Sequence, residues 1–500
     1  MKWLIGSLIA LMLVNNVDTV RAETRPGDTT KLVDAIKNQD RAAVRALLDQ
    51  RVEVNAAERD GTTALHWAVY MDDLATAELL IRAEANVKVS NRHGVTPLSL
   101  AALNGNASML DMLLSAGADP NTALLEGETA LMTAARTGKV EALKVLLAHG
   151  ANVNAKESTR GQTALMWAAA EGHTAVVQAL TERGADIPAR STGGLTALLF
   201  AVREGKIDAV RALLRAGADV NETITRSPSI TRTSIAGYAL GQRPQGATSA
   251  LVLAVGSAHY ELASVLLDAG ADPNAAAQGW TALHQVTWVR RSGQGDNNPA
   301  PQGSGNMDSL GLVARLVAHG ANVNARMTAK ADMGTTEVNN IGATPLLLTA
   351  RTTDIELMRL LIKLGADPLL PNEDNTTPLM AAAGVGTYSP GEDPGTESEG
   401  LEAVKLLWES GGDVNTVNKA GDTAMHGAAY KFFPSVVRFL AEKGARIDIW
   451  NQKNKLGFTP LVIAEGVQRA PSGTGDHIRT STETAAAVRE AMTGAPGQGK

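Results

Sequence analysis

The chain has 500 residues, more than the roughly 250–300 that one globular core can serve, which excludes a single compact globule and leaves several domains or a stacked array. Hydrophobic residues at 44% exclude a disordered chain, and aromatics at only 3% fit thin, close-packed helices better than a large sandwich or barrel. A formal charge of −6 sets up no strong single-sign field, so nucleic acid is not an expected partner.

The first element is an N-terminal leader. Lys2 precedes an apolar run from Leu4 to Val14 broken only by Gly6 and Ser7. Polar Asn15, Asn16 and Asp18 then lead to Val20-Arg21-Ala22, a small-x-small cleavage site. This order predicts a secretory signal peptide over residues 1–22, and the run is too short to span a bilayer. No later segment reaches that length either, so the processed chain is not expected to be an integral membrane protein. The absence of cysteine rules out disulfides and thiolate metal sites. A disulfide-free exported protein fits the bacterial periplasm, with secretion as the other reading. The chain is expected to be a monomer.

Residues 23–57 come next. Leu32, Ile36, Val44, Leu47 and Leu48 predict a helix pair that covers the first of a long series of repeats. The series is marked by a phrase, Gly-x-Thr-Ala/Pro-Leu, at Gly61, Gly94, Gly127, Gly161 and Gly194, in steps of 33, 33, 34 and 33 residues. Weaker copies start at Ala247, Gly279, Gly342, Asn375, Gly421 and Gly457. Each phrase leads into an Ala-rich helix, a short turn, a Leu-rich helix and a tail such as Gly117-Ala118-Asp119-Pro120-Asn121. The Thr stands where its hydroxyl can accept from an orphaned N–H of the first turn. Pro97, Pro345, Pro378 and Pro460 follow at the first helical position, where no N–H is needed. Leu65, Leu98, Leu131, Leu165 and Leu198 should point into the stack. Gly105, Gly138, Gly172 and Gly205 should end the first helix in the left-handed region. The second helices, as in Val140 to Leu147, carry apolar residues at three- and four-residue spacing. Turn pairs such as Asp60-Gly61 and His93-Gly94 suit short β-hairpin fingers.

The phrase resembles the Thr-Pro-Leu-His-x-Ala signature of the 33-residue ankyrin repeat. Thr63-Ala64-Leu65-His66, Thr281-Ala282-Leu283-His284 and Thr423-Ala424-Met425-His426 match it best, and the resemblance runs over nearly all of residues 30–465. It implies an all-α repeat solenoid of about eleven to twelve helix-turn-helix units with β-hairpin fingers. The solenoid would cover residues 58–465. Residues 466–500 would form an irregular C-terminal cap and tail, with Thr484 to Met492 supplying a partner for the helix that starts at Leu461.

Insertions interrupt the later repeats at 222–246, 290–307, 326–341 and 386–400, and a short one follows Trp450. The fourth carries an acidic run of Glu392, Asp393, Glu397 and Glu399. They are either neutral surface loops or walls of the groove.

Residues with chemical potential mostly dissolve into the repeat. His66, His284 and His426 fill the Thr-x-x-His slot, His173 and His259 the turn slot, and His149 and His319 the slot before Gly-Ala. Equivalent slots are spread along a solenoid, so no metal centre, catalytic residue or cofactor is expected. Gly384-Val385-Gly386 ends a helix and is not a dinucleotide loop. Trp67, Trp167 and Phe200, one residue after the His slot, read as core.

By the resemblance, a protein partner is met on the concave face, by finger tips, by the residue after the repeat Gly and by the last exposed pair of each first helix. The helix pairs are Tyr70/Met71, Arg136/Thr137, Arg203/Glu204, Trp288/Val289, Arg351/Thr352 and Tyr430/Lys431. The finger slots are Val95, Gln162, Leu195, Trp280 and Phe458. Trp280, Trp288 and Tyr430 are the expected anchors. The resulting expectation is a protein-binding adaptor or inhibitor. A structural or carbohydrate-binding envelope protein, with Trp280, Trp288 and Tyr388 stacking on sugars, is the alternative. An enzyme built on the insertions is least favoured.

Overall fold

A computed structural model describes residues 29–224, 247–291, 303–330, 338–387, 394–466 and 480–494. The leader at 1–22, Tyr388, Glu392, Asp393, most of the insertions 222–246 and 290–307 and the middles of 326–341 and 386–400 lie outside these residues. Every named element among the described residues is a helix. Among the described residues, β pairing is confined to isolated antiparallel bridges, Ala57–Thr63, Ala123–Thr129 and Thr223–Ser249. The fingers are therefore tight turns, too short for ladders. In one of them the Glu58 N–H donates to the Thr62 carbonyl at 2.8 Å. The described residues divide into two compact units, with the boundary between Asp219 and Val220.

The first unit begins with the helices Thr29–Lys37 and Arg41–Asp49, the expected capping pair. Five pairs follow, from Ala64–Tyr70 with Leu74–Arg82 to Ala197–Arg203 with Ile207–Arg215. The second unit holds five pairs from Ala250–Gly256 with Tyr260–Asp268 to Ala424–Lys431 with Pro434–Glu442. It continues through the short helix Ile447–Trp450 and closes with Pro460–Ala464 and Thr482–Thr493. That last helix packs against Pro434–Glu442 and Pro460–Ala464, where Ala429, Ile463, Ala464 and Ala485 form a small terminal core.

Local chemistry sets these boundaries. The Thr129 hydroxyl accepts from the Met132 N–H at 3.3 Å, Thr196 from Leu199 at 3.3 Å and Thr344 from Leu347 at 3.2 Å, each cap worth about 1 kcal/mol. The phrase leucines Leu65, Leu98, Leu131, Leu165 and Leu198 are buried, each contributing roughly 1.5–3 kcal/mol. Gly138 shows why the turn needs glycine. Its φ is +74°, and a Cβ there would lie 2.8 Å from the ring of His173, whose Nε2 sits 3.0 Å from the Arg136 carbonyl.

The Asn of the tail staples each repeat to the next. Asn154 Nδ2 donates to the Gly184 carbonyl at 3.3 Å while its Oδ1 accepts from the Asp186 N–H at 2.8 Å. Asn55, Asn121, Asn274, Asn324 and Asn415 repeat this double bond. Lys88, Pro188 and Leu369 hold the equivalent tail positions and cannot make it.

Candidate protein-interaction groove

In the first unit, three first helices carry an aromatic ring at their fourth residue with a cation over it. Trp67 is half-buried, with the Lys37 ammonium 4.2 Å from its ring centroid and Tyr70 edge-on at 5.8 Å. Its indole N–H donates to Glu58 Oε2 at 2.5 Å, and Glu58 Oε1 receives Lys37 at 2.8 Å. Three repeats on, the Arg136 guanidinium from the preceding first helix lies 5.3 Å from the Trp167 ring and pairs with Glu128 at 3.1 Å. Arg203 lies 5.0 Å from the Phe200 ring and pairs with Glu204 at 3.2 Å. Tyr70, Met71, Arg136 and Arg203 are partly exposed, as expected for this face. Trp67 and Trp167 are not core, contrary to expectation. A ring this wide reaches past the thin Ala-rich layer, so one edge stays in water while Phe200 is buried.

The repeat is thus laid out residue by residue: Thr cap, inward Leu, turn Gly, stapling Asn and a variable outer face. A family model described as ankyrin repeats (3 copies) matches residues 32–123, 98–191, 157–224 and 396–468, more than half of the chain. The chain is an ankyrin-repeat protein. No curated protein matches it. Ankyrin repeats generally mediate protein–protein interaction, and proteins built from them are typically binding scaffolds without enzymatic activity. Among the described residues, no helix is long and apolar enough to cross a membrane.

The second ankyrin unit corrects several site expectations. Trp280 and Trp288 do not face solvent; each is only 5% exposed, and their rings meet edge-on at 5.4 Å. Trp280 Nε1 donates to Gln285 Oε1 at 2.9 Å. The physical reason is helix length. Ala282–Arg290 runs nine residues against seven in Ala197–Arg203, so Trp288 is no longer at a helix end. Arg351 is 2% exposed, and Lys431 is buried with Nζ donating to the carbonyls of Arg351 at 3.4 Å and Pro394 at 3.3 Å. Tyr430 is half-buried against the terminal core, and its hydroxyl accepts from Asn454 Nδ2 at 3.0 Å. Of the finger slots, Val95 and Leu195 are also buried, whereas Gln162 and Phe458 are partly exposed.

An ionic joint that sequence reasoning missed lies beside them. Arg290 grips Asp354 through Nε at 2.7 Å and Nη2 at 3.1 Å, and reaches Ser309 at 2.5 Å and Glu356 at 3.3 Å. Arg291 pairs with Glu399 at 2.8 Å, holding that carboxyl down to about 2. Glu397 Oε1 accepts the Ser435 N–H at 2.7 Å. Both arginines stand at the start of an insertion, where they read as loop. The available signal was Asp354, which holds the N-cap position of its own helix.

The phrase histidines connect neighbouring repeats. His66 Nδ1 accepts the Thr63 N–H at 3.1 Å, and its Nε2 faces the Val95 carbonyl of the next repeat at 3.0 Å. His284 reaches the Ala343 carbonyl at 3.1 Å and His426 that of Gln452 at 3.2 Å. Accepting at Nδ1 while donating from Nε2 requires the neutral ring. Burial lowers all three pKa values, that of His284 to about 4.

Proposed function

We propose that this ankyrin protein is exported and binds a protein partner through the groove of its first unit, acting as an adaptor or inhibitor. The observation that carries the reading is the contrast between the two units. Tyr70, Met71, Arg136 and Arg203 keep partly exposed surface in the first, beside half-buried Trp67 and Trp167, while at the same helix-end slots of the second Trp288, Arg351 and Lys431 are buried and Tyr430 alone of the named residues stays half-buried. Trp and Tyr with Arg beside them are the usual anchors of interfaces. The sugar-binding alternative is weakened because Trp280 and Trp288 are buried and the Trp67 and Trp167 faces already hold cations. Export rests on the Lys2, Leu4–Val14, Val20-Arg21-Ala22 layout.

The test is affinity capture from a periplasmic extract with the full-length protein and with a Tyr70→Ala/Trp167→Ala variant. The expected result is a protein held by the wild type and reduced at least ~10-fold with the variant, as for hot-spot loss. Equal capture by both would overturn the groove. Recovery of protein with an intact Met1 in the cytosol, where a start at Glu23 is expected, would overturn export.

A further inference from the structure

The fingers of the first unit form one continuous edge. The Arg92 N–H donates to the Asp60 carbonyl at 2.7 Å, Ser158 to Glu126 at 2.9 Å and Thr192 to Arg160 at 2.8 Å, while Gly94 lies against Leu125. Ionisable side chains on this edge are sorted by sign. The carboxylates mostly turn inward. Asp60 is buried and accepts the Thr62 N–H at 2.9 Å, and Glu157 is buried on the N–H groups of Thr159, Arg160 and Gln162. Glu58 is taken by Lys37 and Trp67.

The cations turn outward. Arg59, Arg92, Lys156 and Arg160 are all exposed. None of the four forms an ion pair among the described residues, whereas helix cations such as Arg41, Arg82, Lys144 and Arg211 each hold a carboxylate. Arg92 Nε donates to His93 Nε2 at 3.1 Å, and Lys156 donates to the Arg190 carbonyl at 3.1 Å. In a chain of net charge −6, a row of outward cations whose neighbouring acids are withdrawn is a charge-selective surface.

We propose that this edge binds an acidic polypeptide segment, which rests on the protein-binding reading above and gives the partner its chemistry. Four fingers from Arg59 to Arg160, spaced by helix packing of about 8–10 Å, span roughly 24–30 Å, or about eight extended residues. The third finger separates peptide from nucleic acid. Leu125 is 78% exposed and Glu126 stands beside it, interrupting the cations. A continuous phosphate backbone would meet that acid and apolar tip with charge at every step. A peptide can place an apolar residue there.

The probe is a fluorescein-labelled peptide of four Glu, one Leu and four Glu, titrated by anisotropy into the full-length protein. The expected result is saturable binding that weakens at least ~10-fold between about 50 and 300 mM salt, since exposed charges are screened over about 10 Å. An Arg59→Ala/Arg92→Ala/Arg160→Ala variant with an unchanged circular dichroism spectrum should bind at least ~10-fold more weakly, while Tyr70→Ala/Trp167→Ala stays within about twofold. Binding no tighter than to a Gln-for-Glu peptide, or an unaltered triple variant, would overturn the proposal. Equal or tighter binding of a nine-residue oligothymidylate would overturn it in favour of phosphate recognition. Failure of this peptide with partner capture intact would refute the acidic segment alone. Loss of capture specificity with peptide binding intact would refute the groove alone.

Discussion

Replacing Asn154 with Ala should open the joint between two repeats without disturbing either helix pair. The change removes the Nδ2 bond to the Gly184 carbonyl at 3.3 Å and the acceptor for the Asp186 N–H at 2.8 Å. A net intramolecular hydrogen bond contributes about 0.5–1.5 kcal/mol, and water can reach these exposed groups, so the lower half of the two-bond range applies, about 1–2 kcal/mol. The Asn154 N–H bond to Asn152 Oδ1 at 3.0 Å involves main chain and survives. Solenoid unfolding is not reliably two-state, so the readout is hydrogen exchange, in which 1.4 kcal/mol is tenfold in protection. Peptides covering 180–190 should lose about 5- to 30-fold protection, and those covering 97–115 none. The converse change, Lys88→Asn, restores the motif opposite Gly117 and should raise protection there by a similar factor. Unchanged protection in Asn154→Ala, or loss spread evenly over the unit, would refute the staple as a local joint.

Three further outcomes are expected. The phrase histidines have folded pKa values below the unfolded 6.5, so the folded state binds fewer protons and stability, full above about pH 6.5, is lost as pH falls. His284, at about 4, accounts for a loss of about 3 kcal/mol by pH 4, read as a fall in Tm that is shallower in His284→Gln. Arg290→Ala leaves the 4%-exposed Asp354 carboxylate without its bidentate partner and should cost about 3 kcal/mol, read as lost hydrogen-exchange protection over 282–291 and 355–363, with Arg290→Lys recovering part. Trp288→Ala should lower stability by about 3–5 kcal/mol while affinity for a captured partner holds, because its ring is packed against Trp280.

The repeat was legible because its cues are local and recur. Thr129 and Leu131 announce a cap and a core position within three residues, and eleven phrases reinforce one another. The terminal helix Thr482–Thr493 could be located from its partner at Leu461. Exposure at the groove was less legible. Trp67 and Trp288 both sit on first helices, yet one is half-exposed and the other buried, since that depends on neighbouring helix length and on residues far along the chain. Arg290 and Asp354 are 64 residues apart, and Arg291 and Glu399 are 108 apart, separations over which no periodicity speaks. The tail Asn was visible as a motif, but its partners lie one repeat ahead and its stapling role emerged only in three dimensions.

The Arg290–Asp354 joint also orders the folding of the second unit in time. A chain delivered N-terminus first presents Arg290 well before Asp354, because the two are 64 residues apart. Through that interval the helix Ala282–Arg290 ends in an unanswered cation, and Asp354 has yet to cap its own helix. This stretch of the chain stays an unfinished edge until the following repeat arrives.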